Sequence, residues 1–173
     1  AMKRHAQDMG RTVKLLKDVS PQVYRSLMRD ACITDYERRA TIFPQGTTLA
    51  QICILLQGKG ELFGRLHAKR ATLLLIRPGD AFELSAVVRN APALTAARMI
   101  EPSQVLLINA EAFRASLRTD AELACAVTRM LAAQVCEAIR HLRNIRLLSA
   151  KQRIVVHLLR LYHQQGCANR IRL

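Results

Sequence analysis

At 173 residues the chain suits one substantial domain plus an appendage, and it can bury a core without disulfide staples. Half of its residues are hydrophobic, yet it has no Trp, 3 Tyr and 4 Phe, so the core is aliphatic, and no apolar run approaches the roughly 20 residues that cross a bilayer. The formal net charge of +14, from 27 Lys and Arg against 13 Asp and Glu, favours polyanions such as nucleic acid, or a surface that meets them.

The first thirty residues read as short helical pieces. Val13, Leu15, Leu16, Val19, Val23, Leu27 and Met28 can form a stripe, interrupted at Ser20-Pro21. Ser before Pro is a helix start, with Ser20 as N-cap and Pro21 at the first helical position, so one helix is expected to end near Asp18 and another to begin at Pro21. From Ala40 the period changes. Ile42-Phe43 reads as a strand entering the Pro44-Gln45-Gly46 turn, and apolar Leu49–Leu56 and alternating Leu62–Leu66 read as strands joined in a hairpin through Gln57-Gly58-Lys59-Gly60. Ala71–Ile76 is a further strand, Arg77-Pro78-Gly79-Asp80 a turn, and strands at Leu94–Ile100 and Gln104–Ile108 flank Glu101-Pro102-Ser103. Short strands about ten residues apart, punctuated by turn glycines, predict an antiparallel sandwich or jelly roll.

Asn109 then caps a helix, and Asp120 caps a longer one that can run to about Leu148, since neither Gly nor Pro occurs between Asp120 and Gln165. Ala124, Thr128, Leu131, Val135, Ala138, Leu142 and Ile145 recur at alternating spacings of four and three, the pattern of a coiled-coil seam. A buried helix of a bundle would give the same stripe. The other side carries Arg129, Glu137, Arg140, Arg143 and Arg146, too basic to lie under a core. A last helix is expected over Lys151–Tyr162, ended by Gln165-Gly166, with Arg170–Leu173 starting something like a strand. This helix cannot bury its apolar side alone, so the sequence is expected to stop inside a second domain.

The five cysteines, Cys32, Cys53, Cys125, Cys136 and Cys167, contain no CxxC pair, which argues against a zinc or iron–sulfur site built on closely spaced thiolates. Their odd number and the lack of a signal-like segment point to a reducing cytoplasm, with each cysteine a small buried or half-buried apolar residue. A cupin-like metalloenzyme would need clustered histidines and carboxylates on neighbouring strands, but His67 stands alone in the β region; no enzyme is expected.

Taken in order, "FPQG" at 43–46, "ILLQGKGELF" at 54–63, "LIRPGDAF" at 75–82, Asn90 with Pro92, "VLLINAEAF" at 105–113 and "SAKQRIVVHLL" at 149–159 resemble the CRP/FNR superfamily of bacterial transcription regulators. In layout, including "EPSQ" at 101–104, the chain is most similar to the nitric-oxide-responsive regulators of denitrification. The resemblance implies an α+β fold: an antiparallel β-roll or jelly roll with N-terminal helices over 1–118, a dimerisation helix over 119–149, and the start of a truncated winged-helix DNA-binding domain over 150–173. It implies a cytoplasmic homodimer joined through Thr128, Leu131, Val135, Ala138, Leu142 and Ile145. Promoter DNA would be read by a C-terminal domain beyond these residues, with RNA polymerase a candidate partner.

The same resemblance locates an effector pocket around Phe82, Glu83 and Leu84, with Arg89 and Arg98 as neighbouring cations. Cyclic-nucleotide-binding members carry FGEL, whose Glu meets the ribose, and PR(S/T)A, whose Arg meets the cyclic phosphate. Here Phe82-Glu83-Leu84 lacks the glycine, and Pro92-Ala93-Leu94-Thr95 lacks the arginine, with Ala93 unable to replace it, so the standard cyclic-AMP site reads as degenerate. The clustered N-terminal cysteines of the iron–sulfur members are absent. Haem is a candidate cofactor, with His67 and His141 as conceivable ligands, although the histidine that follows the turn in carbon monoxide sensors is replaced here by Glu83-Leu84-Ser85. The effector is left unknown. A regulatory module of a channel or kinase, built on the same β-roll, is the rival reading.

Overall fold

A computed structural model describes Gly10, residues 13–147, Ser149, and residues 151, 152, 154–156, 158 and 159. The expected Gln165-Gly166 stop and Arg170–Leu173 strand lie outside these residues. The chain divides into two compact units, Ala1–Leu131 and Ala132–Leu173.

The first unit is α+β. Its helices are α1 (Pro21–Met28), α2 (Leu84–Arg89) and α3 (Ala110–Ser116), followed by the long α4 (Ala121–Leu147), whose start belongs to this unit. Eight strands, β1 (Cys32–Tyr36), β2 (Thr41–Phe43), β3 (Gln51–Gln57), β4 (Gly60–Leu66), β5 (Lys69–Ile76), β6 (Ala81–Phe82), β7 (Ala96–Met99) and β8 (Ser103–Asn109), form two four-stranded antiparallel sheets, ordered β1-β8-β3-β6 and β2-β7-β4-β5.

Strands β3 and β8 are buried along almost their whole length, as continuous aliphatic runs such as Ile52-Cys53-Ile54-Leu55 require. Helices α1, α2 and α3 contact these central strands or one another, adding Leu27, Leu84 and Phe113 to the core. The second sheet is one-sided. Leu62, Ile76, Ala97 and Met99 join the core, while Glu61 and Phe63, which flank Leu62 on β4, face the other way.

The expected Gln57–Gly60 hairpin is not formed. Strand β3 pairs with β6 and β8, and β4 pairs with β5 and β7, so this turn carries the chain from one sheet to the other. Gly58 has φ +92, and a Cβ there would collide with the Ser103 side chain and the Pro102 carbonyl; the glycine serves a close crossing. The actual hairpin is β4–β5, closed at His67-Ala68 with His67 at φ 53.

Three elements escaped the sequence reading: β1, an edge strand containing Thr34-Asp35, the two-residue β6, and the six-residue α2. Lys14–Asp18 form turns instead of the end of a helix. Ser20 and Pro21 do begin α1, but the Ser20 side chain makes no capping bond. Instead the Asp120 carboxylate accepts the Ser20 N–H at 3.1 Å and the Leu123 N–H at 2.8 Å, so one buried side chain caps the starts of α1 and α4. The Ser20 side chain foremost, then the Leu123 N–H, outweigh desolvation, and with the Ser20 N–H they hold the Asp120 carboxyl below its ordinary value. Asn109 caps α3 as expected, accepting the Ala112 N–H at 2.9 Å.

Helix α4 ends at Leu147, close to the expected limit. Leu123 and Val127 are buried and Leu131 packs partly on the core, whereas Val135, Ile139, Leu142 and Ile145 are each at least 50% exposed. Thr128 and Ala138 are exposed too. Ile139, absent from the seam read in the sequence, widens this apolar stripe. After α4, the Ser149 N–H donates to Gln152 Oε1 at 2.9 Å and the Gln152 N–H to Ser149 Oγ at 3.4 Å, a reciprocal capping box that starts the next helix. The cysteines divide. Cys53 is buried and its thiol is pushed up to about 12 by desolvation, and Cys32 is half-buried, but Cys125 and Cys136 are exposed on α4 against expectation.

Candidate effector site

The turn Arg77–Asp80 is fixed to β3 by the Gly79 N–H donating to the Leu55 carbonyl at 2.8 Å and the Leu55 N–H donating to the Asp80 carbonyl at 3.0 Å. Gly79 takes φ +93, which the turn needs and a side chain would resist. Asp80 caps the turn by accepting the Arg77 N–H at 2.9 Å; its carboxyl is nonetheless raised, because burial outweighs that bond and the Arg77 charge.

From here β6 leads inward. Phe82 is buried and stacks on Phe43, ring centroids 6.2 Å apart, and Leu84 is fully buried. Between them Glu83 adopts the left-handed conformation, φ 53 and ψ 27, and opens α2. A non-glycine residue there carries strain on the order of 1 kcal/mol. Its side chain is only 8% exposed. Among the described residues its one hydrogen-bond donor is the Thr95 hydroxyl, in a short contact, and no cation pairs with it.

Thr95 is delivered by the chain leaving α2. Asn90, also left-handed at φ 50, ends the helix; Thr48 bridges Pro92, and Ala93 exchanges backbone bonds with Gly46 and Thr47 at 2.9 Å. Ala93 is buried, while Leu94 is 71% exposed. Leu94 directly precedes Thr95.

The expected site residues are therefore only partly brought together. Phe82, Glu83 and Leu84 are contiguous and buried, and Arg89 is exposed at the end of α2. Arg98 is held elsewhere. It donates from Nε (3.0 Å) and Nη2 (2.6 Å) to Glu61, on the sheet face directed away from the core. Glu61 also accepts from Arg70 Nη2 and Thr72 Oγ1, both at 2.5 Å, and the Arg70 guanidinium lies 4.1 Å from the Phe63 ring centroid. Burial pushes the Glu61 carboxyl up, but the bonds from Thr72, Arg98 and Arg70 and the Arg70 charge bring it below its ordinary value. Sequence reading missed this cluster, as it missed Thr95. Thr95-Ala96 carried a signal in the family motif, but Glu61 gave none, since its partners are 9 to 37 residues away.

Both candidate haem ligands, His67 in the hairpin turn and His141 on α4, are exposed, which leaves haem without a buried axial nitrogen among the described residues. Nor do the described residues group three or more His, Cys, Asp or Glu in a way that could hold a metal ion. No described helix is long and apolar enough to cross a membrane.

The two sheets, the Gly79 turn, the buried Phe82-Glu83-Leu84 and short α2 make up the folded body of the first unit. A family model for the cyclic nucleotide-binding domain matches residues 33–120, just over half of the chain, and the chain belongs to that family. Its fold is similar to the sensor domain of the transcriptional regulator DNR from Pseudomonas aeruginosa, with TM-score 0.65 and 22% identity over 83% of this chain and 99% of that one. The catabolite activator protein of Thermus thermophilus matches with TM-score 0.64 and 24% identity, over 88% and 72% of the two chains. The regulatory domain of Toxoplasma gondii PKA, solved with cAMP, matches with TM-score 0.58 and 16% identity; the match covers 65% of this chain and 43% of that one. No curated protein sequence matches.

Proposed function

We propose that the chain is the sensor and dimerisation region of a CRP/FNR-type DNA-binding transcription regulator, and that an effector meeting Glu83 and Thr95 acts through α4. The carrying observation is that α4 is one helix with two environments. Its first turns are anchored in the sensor core by Leu123 and Val127, and its later turns expose Val135, Ile139, Leu142 and Ile145. An aliphatic stripe of this length is costly to leave in water and suits a second copy of the same helix.

In this reading the dimer seam comprises Thr128, Leu131, Val135, Ala138, Leu142 and Ile145. Small Ala124, Thr128 and Ala138 let paired helices rotate or slide more readily than interlocked leucines would. An effector that binds one arrangement more tightly shifts the pair towards it. The capping box at Ser149 separates α4 from the following helix and supplies the hinge towards a DNA-reading domain. Arg140, Arg143, Arg146 and Lys151 add positive potential there, which attracts phosphates without reading bases.

The effector itself is not a standard cyclic nucleotide. Glu83 and Thr95 can bond a neutral hydroxyl- or amide-bearing ligand, but an exposed leucine stands where a guanidinium would face a cyclic phosphate. Equilibrium sedimentation tests the seam: the 173-residue chain is expected to run as a dimer and Val135→Asp/Leu142→Asp as a folded monomer. Equal masses for the two would refute the assignment.

A further inference from the structure

We propose that the outward face of β4, β5 and β7, with the free edge of β5, docks an acidic, extended segment of a protein partner. The inference is independent of the effector. On this face three guanidiniums, those of Arg65, Arg70 and Arg98, surround the Phe63 ring at 4.1 to 5.8 Å, against the single carboxylate of Glu61. That carboxylate is buried beneath them and fixes Arg70 and Arg98, whose side chains remain 32% and 34% exposed. Arginines immobilised in this way lose little freedom on meeting a further anion, and their uncompensated charge selects an acidic partner.

The shape selects an extended one. Strand β5 is the last of its sheet, it pairs on one side only, and Lys69 to Leu75 are all exposed. Its outer edge offers backbone donors and acceptors to an added strand. Beside it an open cleft of about 510 Å³ is lined by Arg65, Leu66, Lys69, Arg70 and Leu73, with both leucines exposed. Alternating acidic and apolar side chains on an added strand would meet cations and leucines together. A DNA duplex could use the cations but neither the strand edge nor the leucines, so a protein segment is the better fit.

A fluorescent, amidated octapeptide of alternating Glu and Val, titrated against the full chain at about 50 mM salt, tests the proposal by anisotropy. Saturable binding is expected. Arg65→Glu/Lys69→Glu leaves the Glu61 cluster intact and should weaken it about tenfold, while Arg140→Glu/Arg143→Glu, with the same loss of net charge, should not. Methylating alternate peptide nitrogens should also weaken binding, by removing strand pairing. Absence of saturation, equal weakening by the two double variants, or indifference to methylation would overturn the proposal.

Discussion

Two buried glutamates in the same domain have opposite surroundings. Glu61 is saturated: two arginines and a threonine donate to it, and its charge is held in place. Glu83, in a strained backbone, receives one hydroxyl and no cation. A carboxylate taken out of water is costly unless it is paired and hydrogen-bonded. The first therefore builds the fold, whereas the second leaves acceptor capacity that a bound molecule can use.

Glutamine substitution separates the two most sharply. Glu61→Gln keeps the shape but strands two guanidiniums, and because these are a third exposed the expected loss is about 2 kcal/mol in urea unfolding, below the range for fully buried pairs. Glu83→Gln keeps the shape and an acceptor for the one Thr95 hydroxyl, and should cost less than about 1 kcal/mol. Equal losses would erase the distinction between the sites.

Asp120 calibrates the comparison as a third buried carboxylate whose role is plainly architectural. Asp120→Ala removes a cap shared by α1 and α4 and should cost about 1–2 kcal/mol. Acid titration gives the next, smaller effect. Glu61 and Asp120 both sit below their ordinary values of 4.5 and 3.8, so the unfolded chain holds their protons more tightly than the folded one. Their stabilisation is present above those values and is lost as the pH falls through and below them, with Asp80, raised by burial, working in the opposite direction. Urea midpoints measured between about pH 5 and pH 3 should fall for the wild type and fall less for Asp120→Ala.

Local chemistry explains what could be read from the amino acids. The Gly79 turn, the Asn109 and Asp120 caps, and α4 follow from the residues at each place, and the ordered motifs brought the family with them. Strand pairing was harder, because Gln57-Gly58-Lys59-Gly60 has the composition of a hairpin but lies where the chain changes sheets, a choice made by distant partners in β7 and β8. Strand β1 was hidden by Thr34-Asp35, tolerable because it lies at a sheet edge. At the site, Glu83 was visible as a motif residue. Thr95 was legible in a family motif but not as the partner of Glu83, 12 residues away, and the diversion of Arg98 to Glu61 depends on which sheet face Arg98 occupies on β7.

The central claim is the proposal that an effector meets Glu83 and Thr95 where no cation stands to hold a cyclic phosphate. Isothermal titration of the full chain with cyclic AMP, beside the Leu94→Arg variant, tests it most directly. The account predicts no saturable binding by the wild type and measurable binding once the variant's guanidinium faces the phosphate. Saturable wild-type binding that Glu83→Gln abolishes would contradict it.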